Sequence, residues 1–315
     1  MKPFHVLTAT ALALASLAAS AQEINFGIIA TDSASVERER WEPLFRDMEK
    51  KTGLTIKAFY ALDYAGVVEA MRFNKVQVAW YGNKAAIDAV DRSSGEVFAQ
   101  VKKADGSLGY YSLLITQKDS PYNNLNDVLK NSKSINFGMG DPGSTSGFLV
   151  PSYYVFAQNK VDSRTAFKTI RNASHGANIQ AVLARQLDVA TNNTEETDKL
   201  EATKPEVAKE LKIIWKSPLI PNDPLVWRKD LDAGVKAKLK GFLLAYGQTD
   251  SDKAVLKNIY NYSGFKESSN EQLVPIRQLE LFKDRRKVEN DEQYSAEEKA
   301  KLIAEIDKKL AALNK

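Results

Sequence analysis

Short apolar runs alternate along this chain with longer stretches of helical periodicity. The runs at 23–29 (EINFGII), 55–61 (TIKAFYA), 76–80 (VQVAW), 111–116 (YSLLIT), 134–137, 188–191 and 211–216 are short and rich in β-branched and aromatic residues, which predicts strands. Between the first two, Val36, Trp41, Leu44, Phe45 and Met48 recur near helical spacing over 35–52, and Gly53 follows as the expected stop. Further helices are predicted over 65–73, 84–91, 147–158, 178–185, 231–246 and 270–282. The alternation is that of an α/β protein with mostly parallel strands. Two proline-containing stretches, 118–122 (KDSPY) and 217–224 (SPLIPNDP), interrupt it. They are read as the places where the chain crosses into a second lobe and returns. That reading assigns 22–116 with 225–290 to the first lobe and 117–224 to the second. A double crossing makes a hinge, and a hinge makes a cleft that closes on a ligand.

The two ends break the pattern. Lys2, an Ala/Leu-rich run over 6–19 and the small-residue sequence Ala19-Ser20-Ala21 read as a secretory signal cleaved after Ala21. The run falls short of the ~20 residues that a membrane span needs, so an anchor is the weaker reading. At the other end, Ser295-Ala296-Glu297-Glu298 is a capping box, and Ile303, Ile306, Leu310 and Leu313 follow on one helical face. The helix of 291–315 either folds back on its own body or, reaching out beyond the polar run 283–293, meets a second subunit to form a homodimer. The pattern alone leaves both open.

Composition narrows the chemistry. With 43% hydrophobic and 27% charged residues the chain is an ordinary globular protein. Removing 21 residues from 315 leaves 294, and losing Lys2 lowers the formal charge from +4 to +3, too small to indicate a nucleic-acid binder. There is no cysteine, hence no disulfide, thiolate metal site, thiol nucleophile or lipid-modified cysteine anchor. Export without any of these points to a bacterial periplasm. His5 leaves with the signal, so His175 is the one histidine of the mature chain. No metal and no cofactor is expected.

The most informative segment is 137–148, FGMGDPGSTSGF. A strand is predicted to end at Phe137, a Gly/Asp/Pro turn follows, and a helix starts after Ser144, Thr145 and Ser146. The first amides of a helix lack internal partners and sit in positive potential, and three hydroxyls beside them add donors. Any single hydroxyl there is by default an N-cap. Three in a row between Gly143 and Gly147 favour a nest for a tetrahedral anion. The segment is not a P-loop, because no Lys-Ser or Lys-Thr follows the glycines. It differs from a nucleophile elbow too, since the central residue is Thr145 and only Asp162 lies between it and His175.

Other candidates lie near predicted strand ends or turns. His175 sits in 172–178 (NASHGAN), a loop before a predicted helix; Glu195 sits in 191–196 (TNNTEE); Asp223 sits in the proline-rich return crossing. Isolated acids at such places are usually helix-start or turn residues, whereas two carboxylates and an imidazole in one cleft would suit a ligand ammonium. Tyr64 and Tyr110 stand beside predicted strand ends, the edge where open α/β sheets bind ligands.

At these motifs the chain resembles the periplasmic phosphonate-binding proteins of bacterial phosphonate ABC transporters. The resemblance runs through NFGII (25–29), DYAGVVEAMRFNKVQVAWYGN (63–83), VDRSSGEVFAQ (90–100), GDPGSTSGFLVP (140–151), DVATNNTE (188–195), IWKSPLIPNDPLVWRK (214–229) and LVPIRQL (273–279). It implies a type II periplasmic binding protein: two α/β lobes, two hinge crossings and an enclosed phosphonate, with 2-aminoethylphosphonate preferred and passed to a membrane permease. By that resemblance Ser144, Thr145, Ser146, Tyr64 and Tyr110 hold the phosphonate oxygens. His175, Glu195 and Asp223 line the other end, the two acids receiving the amine. The terminal helix of this family is associated with dimerisation. After His175 this chain reads Gly176-Ala177, where close relatives carry more polar residues.

Competing expectations are a receptor for phosphite, phosphate or simple alkylphosphonates, a periplasmic esterase or phosphoesterase using Thr145 or a neighbouring serine with His175, and a module that reports ligand state to a chemosensory receptor.

Overall fold

The computed structural model describes residues 22–314; the signal expected over 1–21 and its cleavage after Ala21 lie outside the described residues. In chain order the strands are β1 (Glu23–Ile28), β2 (Thr55–Tyr60), β3 (Val78–Trp80), β4 (Gly95–Lys103), β5 (Gly109–Tyr110), β6 (Ser112–Gln117), β7 (Asn136–Gly140), β8 (Thr169–Ala173), β9 (Val189–Asn193), β10 (Leu211–Lys216), β11 (Ile220–Pro221), β12 (Pro224–Arg228) and β13 (Tyr262–Glu267). Six build one sheet in the order β13-β4-β12-β3-β1-β2, and five build a second in the order β10-β6-β9-β7-β8. Strands β5 and β11, on the two segments that join the sheets, pair with each other. The molecule is a two-lobed α/β protein, as the alternation predicts, but among the described residues six of the ten strand pairings are antiparallel, against the expectation of mostly parallel strands.

Each sheet is built around parallel strands whose carboxyl ends face the other lobe. In the first, β1 lies parallel to β2 and β3. Ile24, Phe26 and Ile28 of β1 are fully buried, and helix Ala34–Thr52 lays Trp41, Leu44, Phe45 and Met48 over them. Trp41 meets Trp80 at 5.1 Å and Phe26 meets Phe45 at 5.0 Å between ring centroids. Burying side chains of this size contributes roughly 1.5–3 kcal/mol each. In the second sheet β7 runs parallel to β8 and β9. There the period of two sorts β6: Leu114 packs with Phe137, Phe156 and Phe167 on one face, Leu113 and Ile115 with Ile179, Val182 and Leu187 on the other.

The structure corrects several expectations. Ser112–Gln117 pairs with β9 and β10, so the chain passes between the sheets upstream of Ser112 and not at 118–122. The return passage lies within 217–224, and its last residue opens a strand. Pro224 begins β12, which inserts antiparallel between β3 and β4; at the first position of a strand a proline costs little of the ladder. The helix expected over 147–158 starts earlier and is wider than an α-helix. π-helical turns occupy Thr145–Leu149 and Ser152–Phe156, with the Leu149 amide reaching back five residues to the Ser144 carbonyl at 3.1 Å. Pro151 between them has no amide to return. The helix expected over 178–185 is His175–Leu183, because Ser174 caps it with its hydroxyl 3.2 Å from the Ala177 amide. His175 therefore stands in a first helical turn, not in a loop.

At the carboxyl end the polar run after Phe282 continues as helix Val274–Asn290. The tail helix Ala296–Leu313 turns back along it, joined by Arg285–Asp307 at 3.3 Å and by a hydrogen bond from Gln278 to Asn314 at 2.7 Å. The capping box at Ser295 forms as predicted. Among the described residues no helix is long and apolar enough to cross a membrane.

Candidate functional site

Residues that follow the carboxyl ends of the central strands converge on one cavity between the lobes. Thr31 follows β1, Tyr64 follows β2 and Gly82 follows β3; Ser144–Ser146 follow β7, His175 follows β8, and Asn193 and Glu195 end or follow β9. Tyr110 and Asp223 reach it from the joining segments, and Trp80, Glu196 and Tyr260 complete much of the wall. The free space among these side chains comes to about 270 Å³, part of it open to solvent. All eight residues singled out from the sequence line it.

At one end the three hydroxyls are arranged as donors. Ser144 Oγ accepts the Gly147 amide at 2.9 Å, Thr145 Oγ1 accepts the Lys84 amide at 2.9 Å, and Ser146 Oγ accepts the Asn193 side-chain amide at 3.1 Å. With each oxygen already serving as an acceptor, each O–H proton is left to donate. The turn that presents them depends on close backbone approach. A Cβ on Gly140 would lie 2.4 Å from the Gly147 Cα, which is why glycine stands at both positions. Ser112 and Thr191 fix the same turn by donating to the Ser146 carbonyl at 2.6 Å and the Gly147 carbonyl at 2.8 Å.

His175 Nε2 lies 3.3 Å from Ser144 Oγ and 3.4 Å from Ser146 Oγ, while its Nδ1 is buried without a partner, so the ring stands at the hydroxyl end and not, as the resemblance implies, at the far end with Glu195 and Asp223. Burial pushes its pKa down to about 4, so the ring is neutral at ordinary pH. This is not the geometry of a nucleophilic triad. Among the described residues no carboxylate bonds to the ring, and Thr145, the residue at the elbow position, bonds to Lys84 and not to the imidazole. Tyr64 and Tyr110 are fully buried, and burial first, then Asp223, pushes both phenols up, so both remain protonated donors.

The opposite end is acidic. Asp223 is 3% exposed, and its Oδ1 has no partner. Burial, then the neighbouring Glu195, holds its carboxyl well above the usual carboxylate range. Glu195 stands in the first turn of helix Thr194–Thr203 and pairs with Lys103 Nζ at 3.0 Å. Glu196 beside it pairs with Arg40, both contacts at 3.3 Å, and lies 2.8 Å from the Tyr260 hydroxyl. Arg40 also bonds to Glu37 at 2.9 Å, and Thr31 donates to Glu37 at 2.7 Å. Burial raises Glu37 to about 7. The sequence reading missed Thr31, Glu196, Tyr260, Lys103 and Arg40. Thr31 and Glu196 carried a usable signal, each standing three residues past a strand end.

Contacts between the lobes surround this site. The Gly176 amide donates to the Thr31 carbonyl at 3.1 Å, and the Tyr64 amide donates to Asp141 at 3.4 Å. With the bonds from Lys84 to Thr145 and from Arg40 to Glu196, they hold first-lobe and second-lobe elements against each other around the cavity.

Comparison with known proteins gives a consistent picture. Residues 26–273 match the family model described as ABC transporter, phosphonate, periplasmic substrate-binding protein. The chain is 53% identical over 292 residues to the phosphonates-binding periplasmic protein of Escherichia coli strain K12, covering 93% of this chain and 86% of that one. It is also 53% identical to the crystallised binding-protein component of an ABC phosphonate transporter from Pseudomonas aeruginosa, with TM-score 0.91 over 94% of this chain and 97% of that one. A Prochlorococcus marinus protein solved in complex with methylphosphonate shares the fold at 21% identity, with TM-score 0.73 over 82% of this chain and 97% of that one.

Proposed function

Because the chain belongs to the periplasmic substrate-binding proteins of phosphonate ABC transporters, we propose that its preferred ligand is 2-aminoethylphosphonate, handed to the permease of its transporter. The protein is the phosphonate-binding component of such a system and not an enzyme. The observation that carries the finer reading is the polarity of the cavity: three hydroxyls with protons to give at one end, two buried carboxyl groups at the other. A doubly charged phosphonate takes the donors of Ser144, Thr145 and Ser146, helped by the phenols of Tyr64 and Tyr110 and by His175. Its ammonium lies at Asp223 and Glu195. Charge-assisted bonds of this kind are about twice as strong as neutral ones.

In this reading the lobes close about the β5–β11 pair, and the leader over 1–21 directs export. The tail helix offers a face for a second copy: among its described residues none is fully buried, and Ile303, Ile306, Leu310 and Leu313 remain half-buried.

Titration calorimetry of residues 22–315 with 2-aminoethylphosphonate, methylphosphonate, phosphite and phosphate tests the ligand. The aminated compound should bind at least tenfold more tightly than methylphosphonate, since an alkyl tail leaves the buried Asp223 Oδ1 without a partner at a cost on the order of 1–3 kcal/mol. Equal affinity for the two phosphonates, or tighter binding of phosphate, would refute the assignment.

A further inference from the structure

Glu195 does not wait for a ligand with its charge uncompensated. Lys103 Nζ lies 3.0 Å from its Oε1, with the two side chains 8% and 5% exposed. The same ammonium donates to the Tyr260 carbonyl at 3.1 Å and stands 5.5 Å from the Tyr262 ring centre, which anchors it behind Glu195 and outside the cavity wall. Lys103 is the last residue of β4 in the first lobe, and Glu195 stands in the first turn of a helix of the second, so the pair spans the gap. We propose that Lys103 is a specificity-determining positioning residue, a built-in counter-cation that sets how strongly the pocket selects an ammonium-bearing phosphonate. This rests on the reading of Glu195 and Asp223 as the amine end.

Lys103 and the ligand share the charge of Glu195. An ammonium-bearing ligand must divide Glu195 with Lys103, so it gains less than it would from a lone buried carboxylate. A methyl tail leaves the Lys103–Glu195 pair intact, so it loses less. Lys103 thereby widens the range of phosphonates the site accepts. Without it, Glu195 is a buried charge that only the ligand can pair, and an unpaired buried charge is costly. Lys103 also acts on Asp223, where its positive charge opposes the raising effects of burial and Glu195.

The test is calorimetry of 2-aminoethylphosphonate and methylphosphonate with the full mature chain and its Lys103→Met and Lys103→Arg variants, alongside Glu195→Gln. Lys103→Met should raise the ratio of the methylphosphonate Kd to the aminoethylphosphonate Kd about tenfold or more, while Lys103→Arg keeps it near the original value. A purely structural role, such as a bridge that only helps the lobes close, would weaken both ligands by one factor and leave the ratio unchanged. An unchanged or reduced ratio overturns the proposal. Glu195→Gln separates the two levels. A ratio that falls in Glu195→Gln but stays constant in Lys103→Met removes Lys103 from the specificity and leaves the amine end standing; a ratio unmoved by either removes both. Should Lys103→Met fail to fold, Lys103→Gln takes its place with the same readout.

Discussion

His175 and Ser144 meet through one ring nitrogen only: Nε2 lies 3.3 Å from the hydroxyl oxygen, and Nδ1 on the far side of the ring is buried with nothing to bond. The ring is therefore held by packing and by the anion site itself, and it pays for that position in protonation. In the unfolded chain histidine takes up its proton near 6.5; here burial lowers the value to about 4. Between those values the unfolded chain binds more protons than the folded one. The contribution of His175 to stability is thus fully present above pH 6.5 and is lost as the pH falls toward 4, by at most about 3 kcal/mol. Urea unfolding near neutrality and near pH 5 should show a steeper acid loss for the native protein than for His175→Asn. Parallel losses in the two would mean that the ring titrates normally in the folded state.

Asp223 titrates in the opposite sense. Burial and Glu195 hold its carboxyl well above the usual range even against the charge of Lys103, so with no cation in the cavity it favours the protonated form. An ammonium placed beside it favours the carboxylate, and the proton leaves. Binding of 2-aminoethylphosphonate should then strengthen as pH rises toward the raised value, with release of up to one proton per ligand. Calorimetry in two buffers of different ionisation enthalpy measures that number. Comparing the native protein with Asp223→Asn cancels the protons contributed by the phosphonate itself. The variant should release fewer; identical release in both would take the amine away from Asp223.

The hydroxyl nest predicts a different pattern, a loss that ignores the tail of the ligand. Ser144→Ala, Thr145→Val and Ser146→Ala each remove one charge-assisted donor, worth about 1.5–3 kcal/mol, or roughly 10- to 150-fold in Kd. 2-Aminoethylphosphonate and methylphosphonate should suffer alike. Each change also strips an amide of its acceptor, but only the Lys84–Thr145 bond joins the two lobes, so Thr145→Val should be the most damaging of the three, and Thr145→Ser should restore most of the binding. A tail-dependent loss at any of these positions would place the phosphonate elsewhere.

How much of this was legible in the sequence depended on distance along the chain. The GDPGSTSG turn could be read because its strand, its glycines and its hydroxyls are neighbours in sequence. The eight residues singled out all reach the cavity because each was chosen at a motif, a strand end or a joining segment, where the topology of open sheets concentrates ligands. Arg40 could not be read that way. On an amphipathic helix a lone arginine looks like part of the solvated face, and its partner Glu196 lies 156 residues further along. Lys103 was hidden in the same manner, as one of two consecutive lysines at the end of a strand that the pattern did not predict. The strand β12 escaped for a third reason. Its opening residue is Pro224, and breaker residues were read as a joining loop when one of them was a strand's first position.

Gly176 offers a test of the lobe contact that leaves the ligand groups untouched. Its amide bonds to the Thr31 carbonyl, and a Cβ at this position would lie 2.5 Å from the Asp32 carboxyl carbon. Gly176→Ala thus forces the Asp32 side chain to swing away, and that movement gives up its 3.5 Å contact with Arg40. Because the carboxylate is the free end of a side chain, the cost should be modest, about 1 kcal/mol, or roughly five-fold in Kd. It should fall equally on every phosphonate, since Asp32 does not line the cavity. Asp32→Ala removes the obstacle, so the double variant Gly176→Ala/Asp32→Ala should bind no worse than Asp32→Ala alone. If Gly176→Ala costs the same whether or not Asp32 is present, the contact between this helix and the first lobe is not what the glycine protects.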